Sequence, residues 1–335
     1  MAYGNRQNRI QQPFLPSSTV VLPIPQNYSI LRGKVIVTGT ITIAGGTTNG
    51  TVQGEGGPIN LIKRIRIIGN AAPGSSFPNG WLVDVSGRAL LRYAQVSSRF
   101  GTFFGEQSGS VLGSGAAGTY NIYLAIPIYF ADDTLRPDVS CALYAAPWAY
   151  QSLQAQILTG GSTDCFAGTD RVWTYNLQVQ WDDDRIDVAP PQNCVALVQE
   201  DHVIPIGAAN TRLFDPALPA DGAFVRWHIL AEQNQPAYAL SDALLNRITL
   251  AGPTFFFDEF AQDIRQDMYD GEWINPSANA AGSYLIDFAE GVLQNSNPAA
   301  GIQSQISVNN PSGAFLDQLR LYTRRIFNVS WTPPS

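Results

Sequence analysis

The chain has 335 residues, enough for two domains, and its 45% hydrophobic content is ordinary for a globular protein. Charged residues make up only 14%, against about 25% in average usage, which suits a turn-rich all-β protein or one that packs against other proteins. Three cysteines, Cys141, Cys165 and Cys194, form no CxxC pair, so a disulfide framework and a zinc finger are excluded and reduced thiols are expected.

Residues 1–16 predict an extended N-terminal arm, because polar residues dominate and Pro13 and Pro16 disfavour a helix. Arg6 and Arg9 lie in this arm, and the first 54 residues contain four bases and no acid. Such asymmetry indicates that one end of the molecule meets an anionic partner, unless the fold mixes the two regions and cancels the field. No apolar segment typical of a signal peptide follows, so none is expected.

Strand patterns begin after the arm. Residues 34–43 alternate with Val35, Val37, Ile41 and Ile43 on one face, the period of a half-buried strand. Residues 59–68 predict a second strand with a basic face. Ser86 is placed to cap a short helix over residues 87–96.

The second half repeats this strand-then-helix step. Residues 247–250 predict a strand, and residues 258–269 predict a helix that places Phe260, Ile264 and Met268 on one buried face. Asp258 and Glu259 would then occupy the first turn, where acids are favoured.

Five short landmarks recur in the same order in the two halves, which predicts a duplicated domain rather than a solenoid. The pairs are Leu22–Pro25 with Ile204–Gly207, Leu61–Ile65 with Leu244–Ile248, Tyr123–Leu124 with Tyr284–Leu285, Leu153–Gln154 with Asp317–Leu319, and Val179–Trp181 with Val329–Trp331. Each half carries seven or eight short strands and one helix, without alternating βα units. The fold class is therefore all-β, with two fused eight-stranded jelly rolls at residues 17–186 and 198–335, short helices in the loops, and a linker at 187–197.

Catalytic, metal and cofactor patterns are weak, so no catalytic, metal-binding or cofactor-binding residue is predicted and no enzyme is expected. His202 and His228 are the only histidines, and each is interpreted as a structural or surface side chain. Asp182–Asp184 lacks the spacing of a calcium loop and is interpreted as a solvated linker. Asp258, Glu259 and Asp263 are interpreted as the wet face of a helix.

The chain resembles the double jelly-roll major capsid proteins of the adenovirus-like lineage. Within it, the size is similar to tailless icosahedral bacteriophages with an internal membrane, such as the Flavobacterium-infecting lipid-containing group. The resemblance rests on residues 61–67 and 85–91, on their counterparts 241–248 and 257, and on residues 133–137; it covers nearly the whole chain as a pattern rather than a sharp motif.

The resemblance implies a structural protein of the virion capsid, made in the host cytoplasm. Homotrimers would form pseudo-hexagonal capsomers that contact neighbouring capsomers and other capsid proteins such as the penton. Arg6 and Arg9 would face the internal membrane or, less directly, the nucleic acid; alternatively, the arm clips neighbouring subunits together through Phe14 and Leu15.

Two other functions are compatible with the sequence. A jelly-roll carbohydrate-binding or spike protein would expose an aromatic platform, for which Trp148, Trp173 and Trp273 are candidates. A two-domain hydrolase with a carboxylate pair is the third possibility.

Overall fold

A computed structural model describes residues 10–26, 28–44, 57–97, 107–108, 118–130, 142–165, 173–186, 193–206, 212–214, 222–233, 239–251, 256–270, 281–288, 303–308 and 317–330. The chain divides into two compact units. Unit 1 comprises Met1–Ala94, Phe103–Val198 and Asn328–Ser335, and unit 2 comprises Gln95–Thr102 and Gln199–Phe327. None of the helices in the described ranges is long and apolar enough to cross a membrane.

Unit 1 is built from antiparallel strands. In chain order these are β1 (Ile10–Pro13), β2 (Thr19–Pro23), β3 (Tyr28–Ile43), β4 (Ile62–Ala71), β5 (Gly80–Ser86), β6 (Gln107–Ser108), β7 (Gly118–Tyr129), β8 (Leu143–Ala145), β9 (Tyr150–Thr159) and β10 (Trp173–Ile186). A 3-10 helix spans Gly57–Leu61, α1 spans Gly87–Ser97 and α2 spans Ser162–Cys165. One sheet has the order β1-β10-β3-β7-β6, with β8 also on β3, and β5-β4-β9-β2 are neighbours in the other.

Unit 2 repeats this plan. Its strands are β11 (Asn193–Pro205), β12 (Arg212–Phe214), β13 (Ala223–Gln233), β14 (Ala239–Leu240), β15 (Leu245–Ala251), β16 (Phe256–Phe260), β17 (Ser283–Asp287), β18 (Gln303–Val308) and β19 (Gln318–Ser330), with helix α3 at Ala261–Asp270. Strands β11 and β19 are counted here because most of their residues fall in unit 2, and each strand except the first is shorter than its counterpart in unit 1. Strands β14-β13-β19-β11 are neighbours, with β17 also on β13, and the other sheet is β12-β18-β15-β16.

The two units share one strand order. Strands β1-β10-β3-β7 correspond to β11-β19-β13-β17, and β2-β9-β4-β5 correspond to β12-β18-β15-β16. When the short strands β6, β8 and β14 are left out, each unit has eight strands, numbered 1 to 8 along the chain. Their order is 1-8-3-6 in one sheet and 2-7-4-5 in the other, which is the eight-stranded arrangement of a jelly roll. Helices α1 and α3 both follow the fifth strand directly. The predicted all-β fold with two fused jelly rolls is confirmed.

Alternating apolar residues build the cores. Val35, Val37, Ile41 and Ile43 are buried on one face of β3, as predicted, whereas Thr42 is exposed. In unit 2, Trp227 of β13 and Leu321 of β19 share one apolar cluster with residues of β15, β18 and α3, so both sheets enclose a common core.

The predicted helix cap is also confirmed. The Ala89 backbone N–H donates to the Ser86 side-chain oxygen at 3.2 Å, which satisfies one of the amides left free at the start of α1.

Three of the five sequence landmarks correspond in the fold. Leu61–Ile65 and Leu244–Ile248 enter β4 and β15, the tyrosine–leucine pairs lie in β7 and β17, and Val179 and Val329 lie in β10 and β19. The other two correspondences are wrong. Leu22 lies in β2, whose counterpart is β12 rather than β11, and Leu153 lies in β9, whose counterpart is β18 rather than β19.

Several predicted boundaries shift. Residues 10–13 of the arm form β1 and pair with β10. Residues 193–197 of the predicted linker belong to β11, because an Asn-Cys-Val-Ala-Leu stretch continues into a long strand. The residue limits 17–186 and 198–335 of the two rolls stay a prediction.

Helix α3 starts at Ala261, later than predicted, and Asp258 and Glu259 belong to strand β16. Ile264 and Met268 are buried as predicted, but Phe260 is 50% exposed. Phe260 ends the strand, so it does not share the helical spacing that would have turned it toward the core.

Candidate functional site

The described residues contain no group of three His, Cys, Asp or Glu side chains placed to hold a metal ion. His228 is fully buried in β13, and its Nε2 lies 2.5 Å from the Ser283 hydroxyl. His202 is partly exposed and lies 3.9 Å from Glu200. The histidines are thus one buried structural side chain and one surface side chain. The candidate functional surfaces in the described residues are instead formed by ion pairs and exposed aromatic side chains.

An arginine–aspartate pair recurs at the same place in both rolls. Arg64 of β4 bonds Asp84 of β5, and Arg247 of β15 bonds Asp258 of β16. Each aspartate lies two residues before the residue that opposes its arginine across the hairpin. Side chains placed diagonally in this way on one sheet face are within reach of each other. The pairs therefore lie at the same structural position in the two rolls, where a hairpin leads into a helix; we call this position the joint.

A second donor completes each pair. Arg66 Nε donates to Asp84 at 2.9 Å, and the Thr249 hydroxyl donates to Asp258, also at 2.9 Å. Hydrogen bonds from Arg247 and Thr249 lower the pKa of the Asp258 carboxyl. Asp258 is thus a structural anion, and the prediction that it belongs to the wet face of a helix is wrong.

Unit 2 also contains a buried charge cluster, here called the Arg320 triad and formed by Arg320, Glu232 and Asp201. Arg320 Nε lies 3.1 Å from Glu232 Oε1, and its Nη1 lies 3.0 Å from Asp201 Oδ2. Burial alone would lower the pKa of the Arg320 guanidinium, but the charges of the two carboxylates and their hydrogen bonds raise it above its ordinary value. The triad joins β19 to its two neighbours, β13 and β11.

The Asp182–Asp184 run is an internal feature rather than a solvated linker. It lies in β10, where Asp182 and Asp183 are nearly inaccessible to solvent. Asp183 pairs with Arg185 and accepts a hydrogen bond from the Trp181 indole N–H at 2.9 Å. The sequence does carry a signal for this strand: Val179, Trp181 and Asp183 lie at alternate positions, so they share one face of β10.

Exposed aromatic rings lie beneath guanidinium groups. Trp81 is 43% exposed and Phe260 is 50% exposed. Arg66 Cζ lies 4.8 Å from the Trp81 ring centroid, and Arg247 Cζ lies 5.1 Å from that of Phe260. Arg and aromatic side chains are enriched in protein–protein interfaces, so these surfaces are suited to contact with another protein.

The base of the N-terminal arm is fixed to unit 1. Ile10 and Pro13 oppose Trp181 and Gln178 of β10, and Phe14 is buried against the rings of Trp173 and Tyr175. Phe14 therefore anchors the arm within its own chain and is not available to clip a neighbour, whereas Leu15 is 53% exposed. Arg6 and Arg9 lie outside the described residues.

The tryptophans predicted as an aromatic platform have other partners. Trp148 packs against Phe77 and Tyr144, and Trp173 packs against Phe14 and Tyr175. Trp273 lies outside the described residues.

Cys165 is a buried free thiol. Its burial, and to a smaller extent the negative charge of Asp164, raise the pKa of the thiol.

The sequence and the structure were compared with those of known proteins. No family model matches the sequence, and no curated protein matches it. Among solved structures, the chain is similar to the MCP of STIV, the Sulfolobus Turreted Icosahedral Virus, with 14% identity, a TM-score of 0.66, and coverage of 95% of this chain and 96% of that chain.

Two further structures agree over nearly the full length. The Faustovirus major capsid protein has 9% identity and a TM-score of 0.56, covering 99% of this chain and 92% of that chain. The major capsid protein P2 from Bacteriophage PM2 has 11% identity and a TM-score of 0.51, covering 98% of this chain and all 100% of that chain. The chain therefore has the double jelly-roll fold that these major capsid proteins share.

Proposed function

We propose that this chain is the major capsid protein of a tailless icosahedral virus with an internal membrane. Three copies form a pseudo-hexagonal capsomer, and capsomers tile the shell. The role is structural and non-enzymatic, and its location is the virion capsid after synthesis in the host cytoplasm. Its partners are further copies of itself, other capsid proteins such as a penton, and lipids of the internal membrane.

One observation carries this proposal: a single chain contains two jelly rolls with the same strand order. A three-fold trimer of such chains presents six similar rolls around one axis, so it approximates a hexagon and can tile a closed shell. The STIV, PM2 and Faustovirus proteins with this fold are capsid proteins, and the match extends over nearly all of each chain. This geometry gives a reason for fusing two rolls in one chain: three such chains supply the six rolls of a hexagonal unit.

The surface chemistry supports repeated contact between proteins. The sequence is poor in charge, at 14%, and charged residues are depleted at interface cores. The exposed rings Trp81 and Phe260, each covered by an arginine, provide apolar area that a neighbouring chain would bury.

A carbohydrate-binding or spike protein is less well supported. Trp148 and Trp173 pack against aromatic neighbours of the same chain instead of forming a shared open platform. Binding of the purified chain to a glycan array, without self-association, would favour that function.

Native mass spectrometry and electron microscopy of the purified chain test the proposal. We expect trimers of the 36.3 kDa chain with a hexagonal outline, and shells or sheets at higher concentration. A chain that stays monomeric at every concentration and yields no ordered assembly would overturn it.

A further inference from the structure

A cavity of about 230 Å³ lies between helix α3 and strands β16 and β17 of unit 2. Phe257, Ile264 and Met268 form its apolar wall, and Glu259 and Asp267 contribute carboxylates. We call this cavity the acidic hollow. Small-molecule pockets are usually about 300–1,000 Å³, so the acidic hollow suits a single side chain better than a free ligand.

Of the three carboxylates that line the acidic hollow, only one has a basic partner among the described residues. Asp287, which also lines it, is neutralised by an ion pair with Arg226. In contrast, no base of the described residues forms an ion pair with Glu259, Asp263 or Asp267. Burial raises the pKa of the Glu259 carboxyl, and the charge and hydrogen bond of Asp267 and the charge of Asp263 raise it further. A cation entering the acidic hollow would relieve this repulsion.

Arginine fits both parts of the acidic hollow. Its methylene stem packs along apolar surface while its charged end stays near polar groups. Its planar guanidinium donates to carboxylates in a fork that two neighbouring acids accept well. The requirement is therefore an acid-free segment that carries arginine.

The N-terminal segment of this chain meets that requirement. Residues 1–9 include Arg6 and Arg9, and the first acid of the chain is Glu55. The segment precedes β1, and the pairing of β1 with β10 and the burial of Phe14 fix the chain at that point. Nine extended residues reach at most about 30 Å from that point, enough to meet an adjacent molecule in a packed array.

We infer that the acidic hollow of one copy receives an arginine, Arg6 or Arg9, from the N-terminal segment of a neighbouring copy. The inference rests on the proposed function, which packs copies side by side and requires links between them. An exchanged segment supplies such a link, whereas the same contact within one chain would leave the copies unconnected.

Charge reversal tests the contact. Arg6→Glu with Arg9→Glu, and separately Glu259→Lys with Asp267→Lys, should each weaken association by about tenfold or more, because like charges would then face each other. Combining all four changes should restore association. Asp263→Lys is the control: it reverses one charge on α3 outside the lining, against two in the double variant, and should have less than half of the effect. Circular dichroism establishes that each variant folds.

Cross-linking identifies which chains touch. The Arg6→Lys, Arg9→Lys variant provides amines that a zero-length carbodiimide joins to nearby carboxylates. In assemblies made from mixed isotopically light and heavy chains, we expect light–heavy links from the N-terminal segment to Glu259 or Asp267. Links confined to one chain, or no recovery in the four-fold variant, would overturn the inference.

Three further outcomes separate a failure of this inference from a failure of the proposed function. If arginine reversal leaves association unchanged but abolishes binding to vesicles of anionic lipid or to DNA, the segment serves a membrane or a genome and the inference fails. If the wild-type chain does not associate at all, the proposed function fails first. Normal shells from the reversed variants would overturn only the inference.

Discussion

Gly39 fixes the path of β3 at a point where the strand cannot carry a side chain. Its φ is +137°, a region that residues other than glycine rarely adopt. A Cβ at this position would lie 2.0 Å from the Asn176 carbonyl oxygen on β10. The strand therefore depends on glycine both for its backbone angle and for its close approach to the neighbouring strand.

Gly39→Ala is expected to destabilise unit 1 by about 2–6 kcal/mol, since backbone strain and overpacking each cost about 1–3 kcal/mol. Gly80→Ala is the matched control: its φ is +104°, but no atom lies within 4 Å of the added Cβ. Chemical denaturation should show a clearly larger loss of unfolding free energy for the first variant. Equal losses would mean that the approach to Asn176 is unimportant.

Removal of one charge from the Arg320 triad should be costly. Arg320→Met leaves Glu232 and Asp201 facing each other while buried, and breaking a buried pair costs about 3–5 kcal/mol. Lys63→Met is the control, because Lys63 is 54% exposed in its pair with Asp164 and surface pairs contribute about 0–1 kcal/mol. Thermal unfolding at low protein concentration compares the two, and similar shifts would argue that the triad contributes little.

At the scale of elements, the same joint is built twice with different chemistry. A hairpin leads into α1 and another into α3, and each carries an arginine–aspartate pair. Ser86 caps α1, whereas the equivalent position before α3 is Phe260, which lies under Arg247 on the surface. The second joint thus presents an aromatic side chain where the first presents a cap.

Substitution within α3 and at the residue before it distinguishes a buried from an exposed side chain. Ile264→Ala should cost about 2–5 kcal/mol because Ile264 is only 2% exposed and its loss leaves a cavity. Phe260→Ala should cost much less in the isolated chain, since half of its surface is already exposed. Urea unfolding measures both changes, and a loss for Phe260→Ala as large as that for Ile264→Ala would contradict the assigned exposure.

Part of this architecture could be predicted from the sequence. The Leu61–Ile65 and Leu244–Ile248 repeat located equivalent strands, because each retains the same pattern of apolar residues around an arginine. The partners Asp84 and Asp258 could not be predicted, since they lie 20 and 11 residues beyond their arginines and only the hairpin register brings them together.

Other features were missed because they oppose the usual signals. Asp258 and Glu259 match the acids favoured in a first helical turn, yet strand pairing holds them in β16. Asp182 and Asp183 look solvated by composition, but Asp183 has buried partners in Trp181 and Arg185 that no local pattern reveals. The acidic hollow likewise could not be predicted, because β17 closes it and is separated in sequence from β16 and α3.

At the scale of the whole molecule, stability should depend on association. If copies bind one another when folded, the folded state is favoured at high concentration. The thermal midpoint should therefore rise with protein concentration, measured by scanning calorimetry across about a hundredfold range. Phe260→Ala should lessen this dependence if Phe260 is buried between copies. A midpoint that does not change with concentration would argue against an obligate assembly.

The unequal chemistry of the two rolls has a consequence for any tiling built from this chain. Unit 2 carries the Arg320 triad and the acidic hollow, and unit 1 carries the base of the arm. A ring of three such chains returns to itself after a third of a turn but not after a sixth. Its neighbours would therefore meet two kinds of edge in alternation. Two rings that differ by a sixth of a turn would be distinguishable, so each ring in a sheet would have to adopt one of two orientations, a choice that does not exist for six identical rolls.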